Sequence, residues 1–175
     1  IKDWPERYRK DLIEDIMPFW LTNGLDKVNG GVYTCLNRDG SLIDTTKSVW
    51  FQGRFAFVCA FAYNTIERKP EWLKASKLTI DFRENHCFDT DGRMFFEVTN
   101  TGQPIRKRRY IFSETFAAIA MSEYAIASGD TNYAKKALAL FKNMLRLINT
   151  PGLLAPKYEK TIDMQGHSLV MILIN

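Results

Sequence analysis

The side chain of greatest chemical interest is an arginine inside an otherwise apolar run. Arg54 lies one helical turn after Trp50, within residues 47–63, which are apolar on nearly every predicted helical face and so indicate a helix buried all round. Arginine keeps its proton, and an unpaired buried charge is costly. Arg54 therefore needs a buried carboxylate, a set of carbonyls, or a pocket lined with ligand oxygens. In a pocket, its guanidinium would stabilise negative charge developing on a reacting oxygen.

Two other titratable side chains occupy the predicted starts of apolar helices. Glu114 opens the helix of residues 113–128, where the positive end of the helix dipole stabilises a carboxylate. It is a candidate for ligand contact or for a salt bridge to Arg54, and the two roles are compatible. His167 stands at the start of a later helix, where a neutral imidazole could serve acid–base chemistry or make a local hydrogen bond.

The elements that must position these residues are helices of two kinds. One-sided outer helices are predicted from Asp3 to near Gly24, from Pro70 to about Glu84, and from Asp130 to Ile148. In the first of them, Asp3 and Glu6 form a predicted capping box, and Pro18 is predicted to bend the last turns. Inner helices, apolar on most faces, are predicted around Trp50, over 113–128, and from near His167.

Short hairpins precede the inner helices and complete a repeating unit. Residues 30–40 alternate into an Asp39-Gly40 turn, and residues 91–102 run between two glycines in the same way. The order of outer helix, hairpin and inner helix recurs with a period of roughly sixty residues, which is typical of stacked helix pairs. We therefore predict an all-α fold of two concentric layers, a toroid of helical hairpins with short β-hairpins in its loops.

The composition excludes several other kinds of protein. The 175 residues suit one domain, and the net charge of +4 is too small and dispersed to indicate nucleic-acid binding. No uninterrupted apolar run is long enough to span a bilayer, and we expect no signal peptide before Trp4. Cys35, Cys59 and Cys87 lack metal-ligand spacing and indicate reduced thiols in a cytoplasmic protein. We expect neither a metal site nor a membrane partner.

The last residues read as the opening of another apolar helix. The sequence after His167 is apolar to Ile174 and carries no helix stop signal. We therefore expect residues 1–175 to be the N-terminal portion of a single barrel domain, cut within its sixth helix. A closed ring requires more units than the two to three that the sequence contains.

Several motifs together resemble the N-acylglucosamine 2-epimerase family, whose relatives include cellobiose 2-epimerases and aldose–ketose isomerases. The motifs are Gly30-Gly-Val-Tyr33, Trp50-Phe-Gln-Gly-Arg54, the helix from Glu114 to Tyr124, and the Gly129-Asp130 cap. Their order and spacing match the family over essentially the whole chain. The Trp50-to-Arg54 segment and the Phe112-Ser-Glu-Thr-Phe116 start look most like the N-acylglucosamine branch.

The resemblance implies an (α/α)6 barrel that interconverts N-acetylglucosamine and N-acetylmannosamine. The ring opens, a base removes the C2 proton, and an acid returns a proton to the opposite face. Arg54 matches the family's pocket arginine and is the implied catalytic residue, whereas the family's main acid–base histidines lie on later inner helices. No cofactor is implied, although a nucleotide (ATP) acts as an effector on some members, and a homodimer is compatible with the family.

A sugar site also needs aromatic rings and hydrogen-bonding side chains. Sugars stack their apolar faces on rings and hydrogen-bond at their edges. Trp50 lies on the same helical face as Arg54 and is the best stacking candidate. The full set of candidate substrate contacts is Trp50, Gln52, Glu114, His167, Tyr33 and Phe112, of which Gln52, Tyr33 and Phe112 are individually more typical of core packing.

Other functions stay open at this point. A related mannose or cellobiose epimerase, or an aldose–ketose isomerase, would use the same pocket. An (α/α)-barrel glycoside hydrolase would need two carboxylates flanking the scissile bond, for which Glu97 and Glu114 are the candidate pair. A non-catalytic binding module would need only the concave surface.

Overall fold

The computed structural model describes residues 3–107, 110–156, 161, 163–164 and 166–174. Its first element is a continuous helical rod that ends at Gly24, as the sequence predicts. The rod consists of α1 (Trp4–Asp11), a π-helical turn (Leu12–Ile16), α2 (Met17–Phe19) and a second π-helical turn (Trp20–Gly24). Pro18 has no amide N–H to donate, and π-helical turns lie on both sides of it, whereas the bend at Pro18 stays a prediction.

The predicted capping box at the start of the rod is wrong. Asp3 has a φ of −92° and a ψ of −10°, and its side chain makes no capping hydrogen bond. A capping residue needs extended dihedrals to place its side-chain oxygen over the first free N–H groups, and Asp3 is already helical. Trp4 and Tyr8, in the first turns of the rod, are exposed.

Long helices follow where the hydrophobic periodicity predicts them. They are α3 (Val49–Thr65), α4 (Pro70–His86), α5 (Phe112–Ser128) and α6 (Thr131–Asn149). Asp130 caps α6 as predicted, since its Oδ1 accepts a hydrogen bond from the Asn132 N–H at 2.9 Å. A short helix, α7 (Ser168–Ile172), begins directly after His167. Within the described ranges, no helix has both the length and the apolar character needed to cross a membrane.

Short strands precede both inner helices. β1 (Cys35–Leu36) pairs antiparallel with β2 (Leu42–Asp44) around the predicted Asp39-Gly40 turn. A second sheet contains β3 (Lys47–Ser48), β4 (Glu97–Val98) and β5 (Pro104–Arg106), in that order. The sequence does not predict β3, which ties the second hairpin to the start of α3.

The second hairpin lies later in the sequence than predicted. Its strands flank a turn in which the Gly102 N–H donates to the Thr99 carbonyl at 3.0 Å. Gly92 forms a separate turn, with its N–H donating to the Asp89 carbonyl at 3.0 Å. Both glycines have positive φ angles, of 76° and 89°. Each therefore reverses the chain by itself, and the two do not mark the ends of one hairpin as predicted.

The helices form two layers, with α3 and α5 side by side and α4 and α6 packed behind them. The contact between α3 and α5 is closest at Gly53. A Cβ at this position would lie 2.6 Å from the Cβ of Phe116 and 2.8 Å from its carbonyl oxygen. Only glycine lets the two backbones approach this closely. Small residues continue the contact, because Ala56, Ala60 and Ala120 are fully buried in one cluster.

Helix α3 is not buried all round, contrary to the expectation from its apolar sequence. The rod, α4 and α5 cover three of its sides. Its fourth side is exposed at Phe51, Arg54, Val58 and Phe61. Arg54 therefore does not carry the cost of full burial that its sequence context suggests.

A buried lysine joins the segments that lead into α3. Lys47 Nζ donates to Asp26 Oδ2 (2.7 Å), to the Gly30 carbonyl (2.7 Å) and to the Asn100 carbonyl (2.9 Å). It also lies 4.2 Å from the centre of the Phe82 ring. All three protons of the ammonium group are used, so Lys47 fixes the first loop and the second hairpin against the start of α3.

The replacement Gly53→Ala tests the close contact between α3 and α5. We expect the free energy of unfolding to fall by about 1–3 kcal/mol, because the added methyl group forces the two backbones apart. Urea unfolding measures the change. Ser122→Ala, at an exposed position on α5, serves as control and should stay within about 0.5 kcal/mol of the wild type. A Gly53→Ala variant as stable as the control would contradict the packing described.

We predict that acid destabilises the protein, because it protonates Asp26 in the Asp26–Lys47 pair. Burial alone would raise the pKa of Asp26, but hydrogen bonds from the Asn29 N–H, Lys47, the Asn29 amide and the Val28 N–H lower it to about 2. Because this value lies below that of the unfolded chain, the stabilisation of about 2 kcal/mol is complete above about pH 4 and disappears as the pH falls towards 2.

Denaturant unfolding between pH 5 and pH 2 measures this effect. The double variant Asp26→Asn, Lys47→Met removes both charges. Between pH 5 and pH 2, we expect the free energy of unfolding of the wild type to fall by about 2 kcal/mol more than that of the double variant. Equal losses in the two proteins would show that Asp26 is not the group responsible.

Candidate functional site

Four aromatic rings, one of them that of Trp50, meet where α3 lies beside α5. We call Trp50, Phe96, Phe112 and Phe116 the Trp50 cluster. The Trp50 ring centre lies 5.2 Å from that of Phe96, 5.1 Å from that of Phe112 and 6.1 Å from that of Phe116. The first two pairs are edge-to-face, which is a favourable arrangement for aromatic rings. The cluster therefore forms a rigid wall to which both inner helices contribute.

Arg54 extends over this wall. Its guanidinium carbon lies 4.4 Å from the centre of the Phe116 ring and 5.9 Å from that of Trp50. The side chain is exposed, and the salt bridges found in the described part of the chain all use other cations. A guanidinium held over aromatic faces keeps its charge, and its N–H groups stay free to bind oxygen atoms.

The other side of Arg54 borders an apolar groove of about 230 Å³ between the rod and α3. It is lined by Leu12, Ile16, Met17, Trp20, Phe51, Arg54, Phe55 and Val58. Apart from Arg54, these side chains are apolar. The guanidinium is therefore the polar feature between an aromatic wall and an apolar groove, an arrangement typical of sites that bind small organic ligands.

Glu114 does not pair with Arg54, so that alternative is wrong. Its Oε1 accepts hydrogen bonds from Arg93 Nε at 2.7 Å and from the Met94 N–H at 3.1 Å. On α5, Phe112 and Phe116 share one face, and Glu114, two residues from each, points to the opposite side. The side chain is 1% exposed, and its Oε2 is buried without a hydrogen-bond partner. Glu114 thus lies behind the aromatic wall.

Gln52 and Tyr33 also lie outside the Trp50 cluster. Gln52 is fully buried, and its amide accepts from the Val32 N–H (2.9 Å) and donates to the Val32 carbonyl (2.7 Å). This side chain holds the loop after Gly31 against α3. Tyr33 is half-buried, and Lys47 Nζ lies 5.4 Å from its ring centre. Burial and the nearby Asp26 carboxylate raise the pKa of Tyr33.

His167 is exposed and lies directly before α7. Its side chain makes no capping hydrogen bond to the helix. Helix α7 packs through Leu169 and Ile172 against the cluster that contains Ile111 and Met144. Among the described residues, the structure does not bring His167 to the Trp50 cluster and shows no capping hydrogen bond from its side chain, so both its role in a pocket and its local hydrogen bond stay predictions.

The structure brings together three of the predicted residues, Trp50, Arg54 and Phe112, and adds two that sequence reasoning missed. Phe116 follows Phe112 by one helical turn, so its shared face was a signal available in the sequence. Phe96 had no such signal, because it meets Trp50 only through the pairing of β3 with β4. Within the described residues, no group of three His, Cys, Asp or Glu side chains could hold a metal ion.

These features allow a limited set of chemical tasks. The aromatic wall can pack against the apolar face of a sugar, and Arg54 can bind its oxygens and stabilise negative charge that develops on one of them. A general acid or base would have to come from elsewhere, because neither histidine lies at the cluster. His86 packs against Phe82, with ring centres 5.0 Å apart, and His167 precedes α7.

Comparison with known proteins identifies the same fold and family. Residues 31–167 match the family described as N-acylglucosamine 2-epimerase (GlcNAc 2-epimerase). The N-acylglucosamine 2-epimerase of Bos taurus is 30% identical over 181 residues, which cover 100% of this chain and 43% of that protein. A cellobiose 2-epimerase of Ruminococcus albus is 32% identical over 161 residues, covering 90% of this chain and 39% of that protein.

A solved structure of a sugar epimerase from a ruminal bacterium superposes with a TM-score of 0.69 at 30% identity, covering 83% of this chain and 37% of that one. The chain thus spans about two fifths of the length of the relatives it matches, and its two layers form part of their (α/α)6 barrel. Sequence and fold agree, and the chain belongs to the N-acylglucosamine 2-epimerase family.

Proposed function

We propose that this chain supplies one wall of the active site of a sugar 2-epimerase. The observation that carries the proposal is Arg54, an exposed guanidinium held over the Phe116 ring and unpaired with any carboxylate in the described residues. In a member of this family, a cation held in this way suits an open-chain sugar whose carbonyl oxygen must gain negative charge.

The proposed reaction interconverts N-acetylglucosamine and N-acetylmannosamine. A base removes the proton from C2, the electron pair of the C–H bond forms a double bond between C1 and C2, and the π electrons of the carbonyl move onto its oxygen to give an enolate. Arg54 stabilises this oxygen by charge and hydrogen bonding. An acid then returns a proton to the opposite face of C2, which restores the carbonyl. The reaction is redox-neutral and requires no cofactor.

The proton-transfer groups are proposed to lie on later inner helices, as the family resemblance implies. The match to the bovine protein over the whole chain favours an acetamido sugar. The matches to cellobiose 2-epimerases keep a disaccharide or mannose substrate as the second candidate. A cytoplasmic location is supported by the three free cysteines, Cys35, Cys59 and Cys87. Control by a nucleotide and a homodimer stay predictions of the resemblance.

A glycoside hydrolase is less well supported, because its candidate carboxylates do not form an open pair. Glu114 is buried against Arg93. Glu97 lies in β4, and its Oε1 is 3.4 Å from the Thr46 hydroxyl. Hydrolysis needs both carboxyl groups to flank one bond at the substrate, which Glu114 cannot do from behind the aromatic wall. A binding module would use the same wall without turnover.

The replacements Arg54→Ala and Arg54→Lys in the full-length protein test the proposal. We expect Arg54→Ala to lower kcat by about 10²–10³-fold, because one preformed stabiliser of the oxyanion is lost. Arg54→Lys should retain part of the activity, since it keeps the charge but not the planar donor pair. The measurement is the conversion of N-acetylmannosamine to N-acetylglucosamine.

Arg68→Ala, which removes an exposed arginine just beyond α3, is the matched control and should keep wild-type kinetics. Thermal unfolding of each variant separates a local effect from loss of the fold. An Arg54→Ala protein with wild-type kcat would remove Arg54 from the reaction. A wild-type protein that binds the sugar without epimerising it would favour the binding module.

A further inference from the structure

A tyrosine at the start of α5 has a backbone conformation that tyrosine rarely adopts. Tyr110 has a φ of 54°, and it is the non-glycine residue with positive φ among those the structure describes. In this left-handed region the Cβ crowds the backbone carbonyl, so every residue except glycine pays a steric cost. Such strain persists only where the surrounding structure enforces it, and it is concentrated at functional sites.

The Arg93–Glu114 pair enforces this conformation. Arg93 Nη2 donates a short hydrogen bond to the Tyr110 carbonyl, and Arg93 Nε donates to Glu114 Oε1 at 2.7 Å. Arg93 is 8% exposed and Glu114 1% exposed. Buried ion pairs of this kind are costly to break, because either partner alone would be left as an unpaired buried charge. The pair therefore holds the Tyr110 peptide in a fixed position.

The ring held in this way reaches the Trp50 cluster. The Tyr110 ring centre lies 5.9 Å from that of Phe112, in an edge-to-face arrangement, and Phe112 in turn contacts Trp50 at 5.1 Å. Tyr110 is half-buried and lies at the rim of the cluster. Its carbonyl takes part in the hydrogen bond from Arg93, and no hydrogen bond to its phenol hydroxyl is found among the described residues.

A purely structural role does not account for the choice of tyrosine. The turn into α5 requires only a positive φ, which glycine would supply without strain. Tyr110 is only half-buried, which limits the gain from burial, and among the described residues the phenol hydroxyl forms no hydrogen bond that stabilises the turn. A side chain kept in spite of its steric cost, at the rim of a ligand-binding wall, indicates a contact with the ligand.

We propose that Tyr110 is a specificity-determining residue of the sugar site, whose phenol group binds a sugar hydroxyl at the rim of the Trp50 cluster, while Arg93 and Glu114 are positioning residues that fix its backbone. This inference rests on the proposed function. Tyr110 contacts a part of the sugar away from the reacting C2, so it contributes binding energy that is the same in the ground state and the transition state.

Two replacements of Tyr110 separate the contact from the turn. Tyr110→Phe keeps the ring but removes the hydroxyl, and we expect KM for N-acetylmannosamine to rise about threefold to tenfold with kcat unchanged. Tyr110→Gly removes the ring but relieves the strain, and we expect a KM increase above tenfold with no loss of melting temperature. Tyr8→Phe, at an exposed tyrosine of the rod, is the control and should match the wild type.

The positioning role has its own variant. Glu114→Gln keeps an oxygen that can accept from Arg93 but removes the charge, and we expect a KM increase together with a lower melting temperature. In Glu114→Gln, Tyr110→Gly we expect the same KM as in Tyr110→Gly alone, because Glu114 acts on the sugar only through Tyr110. A further KM increase in the double variant would contradict the positioning role.

The outcomes distinguish this inference from the proposed function. Wild-type kinetics in both Tyr110 variants would overturn the inference and leave the epimerase proposal intact. If the wild type shows no epimerisation, calorimetric titration with N-acetylmannosamine measures the affinity of the wild type and of the same variants for the sugar. Weaker binding by Tyr110→Phe would then support the contact, and absence of binding by the wild type would overturn both proposals.

Discussion

The close approach of α3 and α5 at Gly53 is the constraint on which the site depends. With a Cβ position 2.6 Å from Phe116, the two helices touch without an intervening side chain. The residue that follows, Arg54, is thereby placed over the Phe116 ring, and Trp50, one turn earlier, meets Phe112. A wider separation would leave the guanidinium without its aromatic support. Arg54 therefore reaches this position because its neighbour, Gly53, has no side chain to hold the two helices apart.

A buried cation anchors the entry to α3 and another anchors the entry to α5. Before α3, Lys47 bonds Asp26 and two loop carbonyls. Before α5, Arg93 bonds Glu114 and the Tyr110 carbonyl. Such pairs often add little net stability, since desolvation offsets the attraction, but they specify one arrangement because the charges tolerate no other partner. The two repeats thus share a way of fixing the hairpin end of the molecule, where the Trp50 cluster lies.

The helices were predictable from the sequence, and most of the pairings were not. Periodicity and the signals at Pro70 and Gly129-Asp130 place α4, α5 and α6 within about two residues. The partner of Glu114 was missed because Arg93 lies in an extended segment, to which helical spacing does not apply. The exposure of Arg54 was missed because an apolar sequence predicts a buried helix but does not show which of its faces the neighbouring elements cover.

The most direct test of the account is the exchange of the C2 proton of the sugar with solvent. The full-length protein is incubated with N-acetylmannosamine in deuterium oxide, and the C2 signal is followed by proton NMR. We predict that deuterium enters C2 as N-acetylglucosamine forms, and that both processes slow together in Arg54→Ala. Epimerisation without deuterium incorporation, or incorporation at the wild-type rate in Arg54→Ala, would contradict an enolate stabilised by Arg54.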